Sequence, residues 1–184
     1  MTTRIRLYED GDWDAVVDLC LLAFAAGCGA LEGAIGHGLD WGACLEEYLR
    51  SLVGSREKKR LLVAESAGLV VGLVHYEVDR VARCGRIGVS AVHPARQGRG
   101  IGPLMYAHVL REMRAKGLKY ATADTAGDGA HARARRAYEK VGFVALPMVQ
   151  YFVELDGPGR PRAAGRPRSR PASAGSERGR GGGR

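Results

Sequence analysis

Long apolar runs are missing from this 184-residue chain; the longest, Leu19 to Ala26, has eight residues. A membrane helix needs about 20, so no membrane span is expected. The N-terminal stretch turns acidic at Glu9-Asp10 and has no signal-peptide-like apolar region, and a cytoplasmic protein is expected. Cysteine is scarce. Cys20, Cys28, Cys44 and Cys84 form no Cys-x-x-Cys pair, which argues against zinc ribbons and thioredoxin-like redox motifs. Cys20 and Cys44 fall on apolar helix faces, where a free cysteine acts as a small hydrophobe. No His-Glu-x-x-His appears, and no metal site is expected.

Charge is abundant but unevenly placed. The formal net charge is +8. Residues Asp156 to Arg184 hold eight arginines and two acids, or +6, which leaves 8 − 6 = +2 for the rest. That last stretch has no Ile, Leu, Val, Met or aromatic residue. It has nothing to bury against the entropy of ordering, so a disordered tail is expected there and a single folded domain over 1–155. A solvated tail is the favoured reading. An arm that attracts nucleic acid through phosphate contacts is the sharper one, and no other segment suggests such a partner.

Helical spacing runs through Trp13, Val16, Val17, Cys20, Leu21 and Phe24, with Asp10 or Asp12 as cap. It returns through Trp41, Cys44, Leu45, Tyr48, Leu49 and Leu52, with Asp40 as cap. Between them Gly27 to Gly38 holds five glycines and reads as a loop. Strands are expected at Arg4 to Tyr8, Leu61 to Glu65, Leu69 to Val78, Gly85 to Val92, Lys119 to Thr125, Phe143 to Leu146 and Gln150 to Leu155. Ser55 to Arg60 reads as a charged connector and Ser66-Ala67-Gly68 as a turn. Ile87, Val89 and Ala91 are expected on one face of their strand. Pro103 opens a helix with Met105, Val109 and Met113 along it and Ile101 and Leu104 beside them, closed by Gly117. A last helix spans Ala130 to Val141, closed by Gly142. Hairpins with one β-α-β crossover give an α+β class: a mixed, mostly antiparallel sheet flanked by helices.

The chemistry concentrates after the strand ending Ala91-Val92-His93-Pro94. A basic, glycine-rich turn, Gln97-Gly98-Arg99-Gly100-Ile101-Gly102, leads into the Pro103 helix. A helix start offers unpaired N–H groups and a positive dipole end. Glycine allows close backbone approach, and Arg96 and Arg99 add forked donors. The turn suits a pyrophosphate. Other phosphate and nucleophile motifs fit worse. There is no Gly-x-x-x-x-Gly-Lys-Ser/Thr, Pro103 breaks Gly-x-Gly-x-x-Gly, and Gly88-Val89-Ser90-Ala91-Val92 fails Gly-x-Ser-x-Gly at its last position.

Gln97 to Gly102 resembles Gln/Arg-x-x-Gly-x-Gly/Ala, the signature of the GNAT superfamily of N-acetyltransferases. Ala134-Arg135-Arg136-Ala137-Tyr138-Glu139-Lys140-Val141-Gly142-Phe143 is similar to that family's second motif, Ala-x-x-x-Tyr-Glu-Lys-x-Gly-Phe. The resemblance covers about residues 3 to 155. It implies a GNAT-like acyl-CoA fold and acetyl-CoA as co-substrate, with transfer to a primary amine of a small molecule or peptide. Dimers are common in the family, which leaves a homodimer open. By the same resemblance Ala91 and Val92 present backbone groups to the pantetheine arm and thioester. Gln97, Gly98, Arg99, Gly100, Ile101 and Gly102 hold the pyrophosphate, and Tyr138 is the general acid. A thiol of pKa ~8.5 and a phenol of ~10 make that proton transfer uphill by only about 2 kcal/mol. His131 departs from the family's frequent Asn. It is read as a cofactor-binding residue beside the alternative of a local cap.

The base is less legible. Many family members carry a glutamate on the strand before the turn, where this chain has Arg86. Glu77 is the chosen candidate, with Asp79, Asp124, His75 and His93 behind it. Glu32, Glu46 and Glu47 are placed to attract a cationic amine, or are simply solvated. Two competing functions stand beside the enzyme: a non-catalytic acyl-CoA-binding regulatory domain, and a nucleic-acid-associated protein acting through its arginine-rich tail.

Overall fold

A computed structural model describes residues 2–24, 41–53 and 59–149. The expected Gly27 to Gly38 loop, the Asp40 cap, the Gln150 to Leu155 strand and the tail lie outside the described residues.

Alternating side chains that are apolar on both faces build the centre of the sheet. The strands are β1 (Thr3–Leu7), β2 (Lys59–Ser66), β3 (Leu69–Asp79), β4 (Cys84–Val92) and β5 (Tyr120–Ala123). They lie in the order β1-β2-β3-β4-β5. Every pairing is antiparallel except β4 with β5, so the mixed, mostly antiparallel α+β expectation holds. Helices α1 (Trp13–Phe24) and α2 (Trp41–Val53) cover one face. There Leu19, Cys20, Leu45 and Leu49 pack on Leu61, Val63, Leu73 and Ala91. Helix α3 (Ile101–Ala115) covers the other, with Met105, Val109 and Met113 against Leu62, Val74, Tyr76 and Ile87, and α4 (Ala132–Lys140) lies beside it. Burial pushes the Cys20 thiol up to about 12, in keeping with a core hydrophobe.

Several local readings change. Lys59 and Arg60 belong to β2 instead of a connector, because β3 is long enough to pair them with Glu77 and Tyr76. Leu104 faces solvent. Strand β5 is shorter than Lys119 to Thr125, and α4 begins two residues after Ala130. Residues 143–146 form no strand. Phe143 turns back onto the Tyr138 ring after Gly142 adopts φ +100°, while Val144 and Leu146 stay exposed.

The largest departure is in β4. Val74 pairs with Ser90 and Tyr76 with Ile87, so His75 alone stands opposite Gly88 and Val89. This is a β-bulge, and one extra residue reverses the alternation beyond it. Ile87 therefore packs toward α3, whereas Val89 and Ala91 pack toward α1 and α2. The bulge needs a glycine: a Cβ on Gly88 would sit 2.7 Å from the Nδ1 of buried His75.

Asp12 does not cap α1 but accepts the Glu9 N–H at 2.9 Å in the capping box of the 3-10 turn Asp10–Asp12 before it. Its two oxygens take Arg6 Nη1 and Nη2 at 2.7 and 2.8 Å, while Arg6 Nε reaches Glu65 at 2.6 Å. The Arg6 hydrogen bond holds the Asp12 carboxyl below its usual range. A depressed folded pKa stabilises above the unfolded value of ~3.9 and loses that effect as pH falls through the lower folded value. Asp12→Asn is expected to cost about 1–3 kcal/mol at neutral pH. The gap to wild type should narrow below pH ~4 in urea unfolding; a gap that stays constant with pH contradicts this account.

Candidate active site

The site begins where two parallel strands part. β5 pairs with β4 only from Cys84 to Ile87, opposite Tyr120 to Ala123. β4 then runs on to Val92, held by β3 on its other edge. His93 N–H donates to the Val71 carbonyl at 3.0 Å on the β3 side. Backbone groups alternate along a strand, so the N–H and carbonyl of Val92 face the opening. The Val92 carbonyl accepts Gln97 Nε2 there, at 3.2 Å. The same alternation turns the N–H of Ala91 toward β3, and its side chain is buried under α1 and α2.

The glycine turn closes one end of the opening. His93 Nδ1 accepts the Ala95 N–H, and Pro94–Arg96 makes one turn of 3-10 helix. Gly98 and Gly100 follow at φ +77° and +79°. A Cβ at either would meet nothing within 4 Å, so glycine is required here for its left-handed conformation and not for room. Gly100 caps α3, whose first helical bond runs from Leu104 N–H to the Gly100 carbonyl. The N–H groups of Ile101 and Gly102 lie before that bond and have no partner within the helix. Arg99 is exposed and Arg96 half-buried. Gln97 does not point its amide into the turn. One end binds Val92, and its Oε1 accepts Arg133 Nη1 from α4 at 2.6 Å.

Tyr138 lies on α4 at 7% exposure. Its ring stacks on Tyr106 of α3, centroids 4.5 Å apart and planes 17° apart, and meets the edge of Phe143. The Tyr106 hydroxyl is 2.9 Å from Ser90 Oγ on the uncovered part of β4. Tyr106 and Ser90 were not legible as site residues. The available signal was a tyrosine in the apolar stripe of the helix that follows the glycine turn. His131 sits at the start of α4, where its N–H and Nδ1 both meet Asp128 Oδ1, at 2.9 and 2.7 Å. That contact holds the exposed Asp128 carboxyl below its usual range.

Two of the candidate bases, Glu77 and Asp124, flank Arg86. Glu77 stands across from it on β3. Arg86 Nε and Nη2 both grip Asp124 Oδ2, at 3.0 and 2.7 Å, immediately past the last β5 pairing. Asp124 is the leading cause of the raised Arg86 pKa, with Glu77 and Tyr48 of α2 contributing further. Burial raises the Tyr48 phenol. Asp124 is thus engaged by a guanidinium, whereas His75 is sealed in the sheet and His93 Nδ1 is occupied by Ala95.

A sheet parted beside a glycine-capped helix, with a buried tyrosine stacked on that helix, is an acyltransferase architecture. The model of the acetyltransferase (GNAT) family matches residues 34–143, more than half of the chain, and the chain belongs to that family. Among solved structures, the ribosomal-protein-S18-alanine N-acetyltransferase of Escherichia coli is 20% identical; the match covers 85% of this chain and 87% of that one at TM-score 0.62. The aminoglycoside 6'-N-acetyltransferase AAC(6')-Ih of Acinetobacter baumannii is 15% identical, covering 85% and 100% at TM-score 0.62. A GNAT family acetyltransferase of Brucella melitensis in complex with acetyl-CoA is 22% identical, covering 78% and 84% at TM-score 0.55. Identities this low establish the fold alone. No curated protein matches the sequence. No described helix is long and apolar enough to cross a membrane.

Proposed function

We propose that this protein is an acetyl-CoA-dependent N-acetyltransferase that passes the acetyl group to a primary amine of a small molecule or peptide by direct attack. The observation that carries the reading is the coincidence of three parts. The β4 edge is uncovered beyond Ile87, α3 starts on two left-handed glycines, and Tyr138 lies buried beside both. The diphosphate of acetyl-CoA docks on the turn from Gln97 to Gly102, against the N–H groups of Ile101 and Gly102, with Arg99 adding charge. The pantetheine arm follows the β4 edge past Ala91. The Val92 N–H, aimed into the opening, serves the thioester oxygen as charge develops on it. Gln97 acts by fixing the turn, and His131 borders the α4 side of the cofactor.

The acceptor must lose a proton and the thiolate must gain one. An alkylammonium of pKa ~10.4 costs about 4.6 kcal/mol to neutralise at pH 7. Glu77, on β3 beside the β4 edge, takes that proton directly or through water. Tyr138 returns one to the departing CoA sulfur. The catalytic unit spans residues 1–155, and the protein works in the cytoplasm as a monomer or homodimer.

A second reading, an acyl-CoA-binding domain without turnover, draws support from Arg86, a cation paired with a carboxylate at the mouth of the opening. A CoA-release screen over polyamines, aminoglycosides, amino acids and peptide N-termini separates the two. Under the enzyme reading at least one class releases CoA. Under both readings, saturating acetyl-CoA raises Tm by roughly 5–10 °C through ligand linkage. The absence of any Tm shift overturns both.

A further inference from the structure

We propose that Tyr106 is a positioning residue for the acid: its hydroxyl donates to the Tyr138 oxygen and steadies the phenolate left when Tyr138 protonates the departing thiolate. This inference rests on the acetyltransferase reading above and adds a residue that neither sequence motif contains.

The step needs such a donor. The amine nitrogen bonds to the acetyl carbon, and the carbon–sulfur bond breaks with its electron pair going to sulfur. The Tyr138 O–H proton moves to that sulfur, while the proton shed by the amine passes to Glu77 or water. Tyr138 is then a phenolate at 7% exposure, packed between the Tyr106 and Phe143 rings. A buried charge without a donor is costly. Phe143 has nothing to give. Tyr106 does, and its geometry is constrained from two directions. Its ring lies nearly parallel to that of Tyr138, and its oxygen is 2.9 Å from Ser90 Oγ. With Ser90 donating to Tyr106, the Tyr106 proton is left for the oxygen of the stacked Tyr138. A hydrogen bond from Ser90 to Tyr106 and a ring stack from Tyr106 to Tyr138 therefore link the uncovered β4 edge to the acid.

Protonation states agree with this order. Burial raises the Tyr106 phenol well above its ordinary value, and the charge of Tyr138 raises it further; the Ser90 hydrogen bond opposes the rise. Tyr106 thus keeps its proton. After the thiol leaves, solvent returns the proton to Tyr138.

Tyr106→Phe tests the idea while keeping the ring and the stack. With the amine found in the CoA-release screen, kcat should fall about 10-fold and the KM for acetyl-CoA should change less than 2-fold. Ser90→Ala should give a smaller loss in the same direction, which Ser90→Thr avoids. In a Tyr138→Phe background, Tyr106→Phe should have no further effect, because the hydroxyl acts only through Tyr138. An unchanged kcat in Tyr106→Phe, or a full additional loss in the double variant, overturns this proposal alone. No CoA release by the wild-type protein overturns the acetyltransferase reading and this proposal with it. Equal changes in kcat and KM indicate mere packing and also overturn it.

Discussion

Tyr138→Phe should lower kcat about 100-fold while the KM for acetyl-CoA stays within about 2-fold. A positioned general acid contributes roughly 10²–10⁴ in rate, and the thiolate of CoA can still take a proton from water, which places the loss at the lower end. The variant retains everything except one oxygen. Its ring still fills the space between Tyr106 and Phe143, with the 4.5 Å stack intact, so the fold and the cofactor site should survive. Thiol release under saturating amine, with CoA affinity measured separately, reads the two effects apart. Equal kcat for the two proteins would remove Tyr138 from the mechanism. A matching loss of CoA affinity would make it a packing residue.

Gly102→Asp should have the opposite profile: a sound fold that no longer holds the cofactor. Gly102 is in the first turn of α3. A Cβ there meets only the Ala137 Cβ at 3.7 Å, an ordinary contact. An aspartate near a helix start interacts favourably with the dipole and the orphan N–H groups, so Tm without ligand should hold or rise slightly. Those N–H groups are the ones assigned to the diphosphate. Two unit negative charges 4 Å apart repel by about 4 kcal/mol at an effective dielectric of about 20. CoA affinity should therefore fall at least about 100-fold, or about 2.7 kcal/mol. Gly102→Ala, which fits the same space without the charge, should bind CoA nearly as well as wild type. Calorimetry with CoA decides it, and tight binding by the aspartate variant would move the diphosphate elsewhere.

The two variants also separate what a reader of the sequence could see from what was hidden. The glycine turn was legible because a left-handed turn at a helix start is local. Gln97 to Pro103 are contiguous, and the need for left-handed backbone at Gly98 and Gly100 is met by those residues alone. The helices were legible for a similar reason, since periodic burial at Met105, Val109 and Met113 follows from spacing along one element. The side-chain partners of Gln97 were not legible. Its amide ties Val92 to Arg133 across three elements, and nothing in its own segment specifies those partners.

Sequence alone determined the α+β class, the two motifs of the family and the place of the glycine turn, because each is written in short-range spacing. Tertiary structure decided the bulge that sends Ile87 and Ala91 to opposite faces, the partnership of Arg86 with Asp124, and the meeting of Tyr106 with Tyr138. Those features depend on which strand lies beside which and in what register. A one-residue change in pairing reverses every side chain beyond it, and no local pattern of residues encodes that register.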